Sequence, residues 1–257
     1  MTTKVHLVGS HGLYASYGGW DQLVINLAEL KSSQIQYLIF NPKETPVRDH
    51  SLENVSVKEI PLSGAGMQGL LFDAVSVLVS FKADTLLMLG MKALPVASFL
   101  KLVRPRLRLV VNIGGVEWER PQFNKILKLY LRLCFYLAKK NADCLIIDNE
   151  YYREFLSVND SVEVQRIAYG GTIDKHLSSA DLRSEFEFIE QEYYLSISRS
   201  ISDNKIDELC SVFSKLPDEK LVMISNFSNS QYGRDILERF KGFSNIVMID
   251  GLYDKPK

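Results

Sequence analysis

Histidine and cysteine are scarce in this chain, and their scarcity removes whole classes of chemistry. The four histidines, His6, His11, His50 and His176, are scattered with no pair at i, i+4 spacing, so neither a zinc hydrolase nor a Ser-His-Asp hydrolase is suggested. The three cysteines, Cys134, Cys144 and Cys210, lie singly in apolar segments with no Cys-x-x-Cys spacing. They read as core residues kept reduced, and no metal site is expected. The dinucleotide fingerprint G-x-G-x-x-G is missing, because Gly9 and Gly12 are spaced wrongly and His11 stands between them, which disfavours NAD. No apolar run reaches transmembrane length: the most apolar stretch, 69–100, is interrupted by Asp73, Lys82, Asp84 and Lys92 and reads as helix, strand, helix. The N-terminus lacks the apolar core of a signal peptide and enters a strand at once, which argues for a cytoplasmic protein. A net charge of −1 gives no general case for nucleic acid as a partner.

What is present is enough apolar material for a sizeable core, 46% of 257 residues. Apolar strand-like runs at 5–9, 35–41, 55–61, 85–90, 107–113, 144–148 and 162–168 alternate with helical patterns at 20–31, 67–82, 93–103, 122–140 and 149–157. Such alternation implies βαβ units and a parallel sheet. A polar segment, 174–191, then reads as an interdomain connection. A second α/β series follows, with strands at 194–198, 220–226 and 246–251 and helices at 203–215 and 232–240. The expected fold class is therefore α/β with two Rossmann-like domains, 1–173 and 192–257. The second series falls short of the roughly 100 residues usual for such a domain and is expected to be partial.

Charge is unevenly placed. Residues 101–140 hold ten lysines and arginines against Glu117 and Glu119. In 122–140, Phe123, Ile126, Leu127, Tyr130, Leu133, Cys134 and Leu137 mark one side of an amphipathic helix, and Lys125, Lys128, Arg132 and Lys139 another. This pattern fits a core face with a solvated charged face; Leu129, Leu131, Phe135 and Tyr136 widen the apolar surface and also permit docking on an anionic inner leaflet.

Two loops hold the residues suited to chemistry. After the first strand, Gly18 and Gly19 open a helix with Trp20 and Asp21. This is either a plain βα turn or a place where backbone N–H groups can approach an anion at a helix N-terminus, with Asp21 favoured by the helix dipole in both cases. After the strand at 107–113, Gly114-Gly115-Val116-Glu117-Trp118-Glu119-Arg120 leaves the carboxyl edge of the sheet, where open α/β sheets bind ligands. Glu117, Trp118 and Arg120 offer an acid, an aromatic face and an anion partner; a buried Trp118 beside a Glu–Arg pair is the plainer alternative.

These motifs, with Tyr17-Gly18-Gly19, Tyr169-Gly170, Tyr193-Tyr194-Leu195-Ser196-Ile197-Ser198-Arg199 and Asp203-Asn204, resemble the bacterial family 4 glycosyltransferases. The likeness is to their rhamnosyltransferase-like branch of surface-polysaccharide assembly, and it runs the length of the chain. The sequence departs from that branch at His11 and Ser16, where arginine is usual, at Asp21 (glutamate) and at Ser198 (glycine). The resemblance implies a GT-B fold and transfer of a sugar from a dTDP-, UDP- or GDP-linked donor to a growing glycan or lipid-linked oligosaccharide, with no cofactor. It implies acceptor-side contacts at Gly18, Gly19, Trp20, Asp21, Glu117, Trp118 and Arg120. Donor-side contacts would come from Arg199, Asn204, Lys205, Asn226 and Tyr232, with a guanidinium matched to the departing diphosphate. His11, Asp21 and Glu117 are candidates for a catalytic group, and none is named as general base. The sequence has no Asp-x-Asp, which counts against the metal-dependent single-domain transferases. The chain stops before the paired glutamates that related enzymes use to hold the donor, so it is expected to be inactive by itself. A non-catalytic glycan-binding or scaffold fragment and a nucleotide-sugar epimerase on the same architecture are the alternatives.

Overall fold

The computed structural model describes residues 2–15, 18–30, 32–45, 52–120, 123–156, 162–170, 186, 188 and 192–251. The chain divides into two compact units, Met1–Gly170 and Gly171–Lys257.

The first unit is built on seven parallel strands: β1 (Thr3–Val8), β2 (Ile35–Pro42), β3 (Val55–Ile60), β4 (Thr85–Leu89), β5 (Arg108–Asn112), β6 (Cys144–Ile147) and β7 (Glu163–Arg166). Their order is β3-β2-β1-β4-β5-β6-β7. Strand order reverses at β1, which pairs with both β2 and β4, so a crevice opens beyond the carboxyl ends of β1 and β4. Strand alternation divides the core into two layers. Leu7 and Ile39 point to one side with Val24 and Ala28 of α1 (Gly19–Glu29), whereas Val8, Phe40, Leu86 and Met88 point to the other. That second side is covered by α2 (Gly66–Val79), α3 (Leu94–Val103) and α4 (Lys125–Asn141). Pro95 sits in the first turn of α3, where its missing donor matters least.

All seven strand expectations match observed strands to within two residues at each end. The helix expected at 149–157 is instead a 3-10 segment, Glu150–Phe155, started by the Asn149 side chain accepting from the Tyr151 N–H (2.9 Å). The core side expected for α4 is also corrected. Leu131, Cys134, Phe135 and Ala138 are its buried residues, whereas Ile126 and Leu133 are exposed. Apolar residues occur on more than one side of this helix, so periodicity does not select a single phase.

In the second unit, β8 (Tyr194–Ile197), β9 (Leu221–Ser225) and β10 (Ile246–Asp250) form a parallel sheet in the order β10-β9-β8. Between them run α5 (Ile206–Phe213) and α6 (Gln231–Phe240). Cys210, Phe213, Met223, Phe227, Ile236 and Phe240 pack in their shared core. The helix expected from 203 starts later. Ser202–Asn204 is a 3-10 turn, and Lys205 adopts a left-handed conformation (φ 53°) that breaks the helical path before Ile206. Of the connection expected at 174–191, all but 186 and 188 lies outside the described residues.

Candidate functional site

In the first unit, the loops after β1, β4 and β5 gather at one edge of the sheet. Asp21, fully buried, is the third residue of α1, and its two carboxylate oxygens accept the His11 N–H (2.9 Å) and the Gly18 N–H (3.1 Å). Its Oδ1 is also 3.4 Å from His11 Nδ1. Burial alone would raise the Asp21 pKa, but hydrogen bonds from His11 and Gly18 hold it below the usual carboxylate value. Asp21 is thus built into the loop, its side chain reaching back to the N–H of the N-cap Gly18 as one half of a capping box does, and it fixes the imidazole of His11 through Nδ1. Gly18 and Gly19 are conformationally ordinary, and a Cβ added to either would meet nothing within 4 Å. Among the described residues, packing does not demand glycine there, and nothing fills the space beside either glycine. Ser16 and Tyr17, both in this motif, lie outside the described residues.

Trp20 lies across the glycines of the neighbouring loops. Gly90 (φ 98°) and Gly114 (φ 58°) both need left-handed backbone, and a Cβ on Gly90 would come within 2.9 Å of the Trp20 ring. The Tyr169 hydroxyl accepts hydrogen bonds from the Asn112 amide (3.1 Å) and the Trp20 indole. Burial raises the Tyr169 pKa, with these two donors opposing. Three separate sequence motifs, at 18–21, 112–115 and 169–170, therefore meet through one indole ring.

Glu117 begins a 3-10 turn, Glu117–Glu119, beyond β5. It is only 7% exposed, and its buried Oε2 has no hydrogen-bond partner among the described residues. An orphaned carboxylate oxygen is costly without a ligand or water to satisfy it. Trp118 does not provide the expected sugar-stacking face. It is 6% exposed, with Phe135 4.7 Å from its ring centroid and Phe155 edge-on at 5.9 Å. The aromatic core under α4 takes up the ring, which is the plainer of the two sequence alternatives. Arg120 is half-buried, with its charge near the Tyr152 hydroxyl.

Sequence reasoning passed over Asp73. Burial pushes this α2 carboxyl up to about 7; Lys92 and His11 oppose the rise, and the charge of Glu117 adds to it. Lys92, at the carboxyl end of β4, also offers its carbonyl to the Tyr130 hydroxyl (2.5 Å). Asp148, beyond β6, has a second orphaned carboxylate oxygen, Oδ1. The available sequence signal for Asp73 was an acid inside an otherwise apolar helix, which served only as evidence against a membrane span. Together His11, Asp73, Lys92 and Glu117 set acids, a cation and an imidazole within electrostatic reach, a set suited to hydroxyl-rich ligands.

In the second unit, Arg199 follows β8 and is exposed. Its carbonyl accepts from the Asn204 amide (2.8 Å), so Asn204 shapes the Arg199 turn. Lys205 is exposed and pairs with Glu208 (2.6 Å). Asn226 ties the turns after β8 and β9 together: its Oδ1 accepts the Ser200 N–H (2.8 Å), and its carbonyl accepts from Ser200 Oγ (2.7 Å). Tyr232 donates to Asp207 Oδ1 (2.7 Å), linking α6 to the start of α5. Ser225 ends β9 and Ser198 follows the adjacent β8, and their buried hydroxyls lack partners among the described residues. Neither serine stood out in the sequence except as a departure from glycine at Ser198.

The family described as Domain of unknown function (DUF1972) matches residues 2–172. The chain belongs to this family. No curated protein matches the DUF1972 chain significantly in sequence. Among solved structures it is similar to sucrose-phosphate synthase from Thermosynechococcus elongatus, with 15% identity, a TM-score of 0.75, and 98% of this chain and 71% of that one covered. It is similar to HepE from Anabaena in complex with UDP and glucose, with 15% identity, a TM-score of 0.65 and coverage of 98% and 70%. A Listeria monocytogenes protein described as a UDP-N-acetylglucosamine 2-epimerase aligns at 12% identity, with a TM-score of 0.57 and coverage of 98% and 70%. At these identities the likeness establishes the fold alone: Rossmann-like units of the GT-B type.

Proposed function

We propose that this DUF1972 chain is the catalytic framework of a nucleotide-sugar-dependent glycosyltransferase. The donor diphosphate is taken by the second unit and the acceptor glycan by the first, with 1–173 and 192–257 as the two functional domains. The observation that carries the reading is the fold likeness over 98% of the chain to structures that include HepE with UDP and glucose. It is supported by the orphaned Ser198 and Ser225 hydroxyls beside Arg199 in one unit and the orphaned Glu117 oxygen in the other, since unpaired buried polar groups are what a polar ligand satisfies. The resemblance of the Gly114-to-Arg120 string favours a rhamnosyl donor, retention of configuration, and a surface polysaccharide or lipid-linked oligosaccharide as acceptor in the cytoplasm. In this reading Arg199 neutralises the departing diphosphate, Gly18 and Gly19 leave room for the ligand, and His11, held by Asp21, and Glu117 contact acceptor hydroxyls. The reaction needs no metal or cofactor.

Epimerisation of a nucleotide sugar is a second reading, favoured by the likeness to the Listeria protein. Calorimetry with UDP, dTDP and GDP tests the donor site. Arg199→Ala is expected to weaken the preferred nucleotide by ~1.5–3 kcal/mol, the range for hydrogen bonds to charged groups; equal affinity in both proteins removes Arg199 from the donor site. Incubation with the matching nucleotide sugar, with and without oligosaccharide, then separates transfer, which needs the acceptor, from epimerisation, which does not, and turnover of either kind by these 257 residues alone overturns the expectation that they are inactive by themselves.

A further inference from the structure

The outer surface of the three-helix layer in the first unit is at odds with a free aqueous face. Met67, Leu71 and Leu78 of α2 and Phe81 just beyond it, Phe99, Leu102 and Val103 of α3, and Ile126, Leu129, Leu133 and Tyr136 of α4 are all at least half exposed, Leu102 at 75% and Ile126 at 82%. Scattered exposed leucines are ordinary, but a contiguous set on adjoining helices marks an interaction surface.

The helices do adjoin. The Arg104 guanidinium at the end of α3 bonds the Phe81 and Ala83 carbonyls and lies 5.4 Å from the Phe81 ring centroid. The Asn141 amide of α4 reaches Ser98 Oγ of α3 (3.2 Å). On α4 the exposed apolar residues recur as Ile126, Leu129, Leu133 and Tyr136, one stripe along a helix of 17 residues, about 25 Å long.

Charge selects the occupant. Segments 66–82, 94–106 and 123–141 contain nine lysines and arginines and one carboxyl, Asp73, which is half-buried and belongs to the cluster already described. Exposed Lys82, Arg106, Lys125, Arg132 and Lys140 flank the apolar stripes. Exposed Glu119 lies 3.5 Å from Arg132 at the edge of this face, and the other flanking bases outnumber it; a surface with a clear excess of bases around apolar side chains matches an anionic lipid surface. Among the described residues no helix is long and apolar enough to cross a membrane, so the fit is to the surface and not to a span.

We propose that the α2–α3–α4 face seats this protein on anionic phospholipid, with Leu102, Ile126 and Leu129 entering the headgroup boundary and the flanking lysines and arginines over lipid phosphates. Seating on lipid does not depend on the reaction proposed above, and the test uses no turnover. Wild-type protein is co-sedimented with phosphatidylcholine vesicles and with vesicles also containing phosphatidylglycerol, at low and high salt. Retention on the anionic vesicles at low salt and its loss at high salt are expected. Lys125→Gln should weaken partitioning about fivefold, the equivalent of ~1 kcal/mol per basic residue, and Ile126→Ser with Leu129→Ser by about tenfold or more. Unchanged melting of these surface variants confirms their fold. The proposal is overturned if anionic vesicles retain no protein, if neutral vesicles retain as much, or if the variants bind as wild type does. Light scattering supplies a further refutation: a wild-type dimer that the serine pair dissociates, with no vesicle binding, assigns the face to a second copy of the chain.

Discussion

Replacing Asp73 by asparagine should stabilise the protein increasingly as pH rises from about 4 to about 7, and change it little below 3.8. The carboxyl titrates at about 7 in the folded chain, against an ordinary value of 3.8. The native state therefore holds a proton that the unfolded state has released throughout that interval. The associated stability is fully present below 3.8 and is lost as pH rises through 7, leaving a buried charge beside Glu117. At 1.36 kcal/mol per pKa unit the whole interval corresponds to about 4 kcal/mol. Partial exposure of the side chain reduces this to roughly 1–2 kcal/mol after solvent screening. Asparagine keeps the size of the protonated acid and cannot ionise. Urea unfolding of wild type and Asp73→Asn across this range is the assay, with the difference between the two curves isolating this one group. That control matters because His6, held down to about 4 chiefly by burial, pulls wild-type stability the opposite way as pH falls. A pH-independent difference, or a loss of stability in the variant at high pH, would refute the reasoning. If the cluster receives a polyol ligand, the same variant should alter acceptor affinity without altering nucleotide affinity.

The core position of Trp118 gives Trp118→Ala a cost of about 3–5 kcal/mol, read by thermal melting, with any loss of ligand affinity vanishing under conditions that keep the variant folded. Asp21→Asn should loosen the loop after β1 by about 1–2 kcal/mol near neutrality. Because the native Asp21 pKa lies below its ordinary value, the Asp21 contribution is present above the unfolded pKa and fades as pH falls through the folded one. The variant and wild type should therefore converge in strong acid, and a constant gap would show that the carboxylate's charge is not what holds the loop.

The parallel sheet was legible because each strand is a short apolar run between helix-like segments, and burial of both faces leaves little room for ambiguity. The start of α5 was not, since it depends on Lys205, a left-handed non-glycine residue, which local residue preferences do not anticipate. Trp118 illustrates a second limit. The composition of its loop suits sugar binding, but whether the indole faces outward depends on Phe135 and Phe155, 17 and 37 residues away in sequence. The candidate site divides in the same manner: Gly18, Gly19 and Glu117 stand out by motif, whereas Asp73, Asp148 and Ser225 gain interest only from burial and missing partners.

Both tryptophans of the chain, Trp20 and Trp118, belong to the first unit, and this makes the molecule a spectroscopic instrument with an unequal view of itself. Excitation of indole reports the first unit alone, while the second unit is visible through its tyrosines. The two emitters are also unlike each other. Trp118 is enclosed by phenylalanines and should emit to the blue until the core opens, whereas Trp20, half-buried and hydrogen-bonded to Tyr169, is placed to sense whatever arrives at the carboxyl edge of the sheet. A fluorescence change on adding a glycan and none on adding a nucleotide would then separate, in one cuvette, the events at the two units.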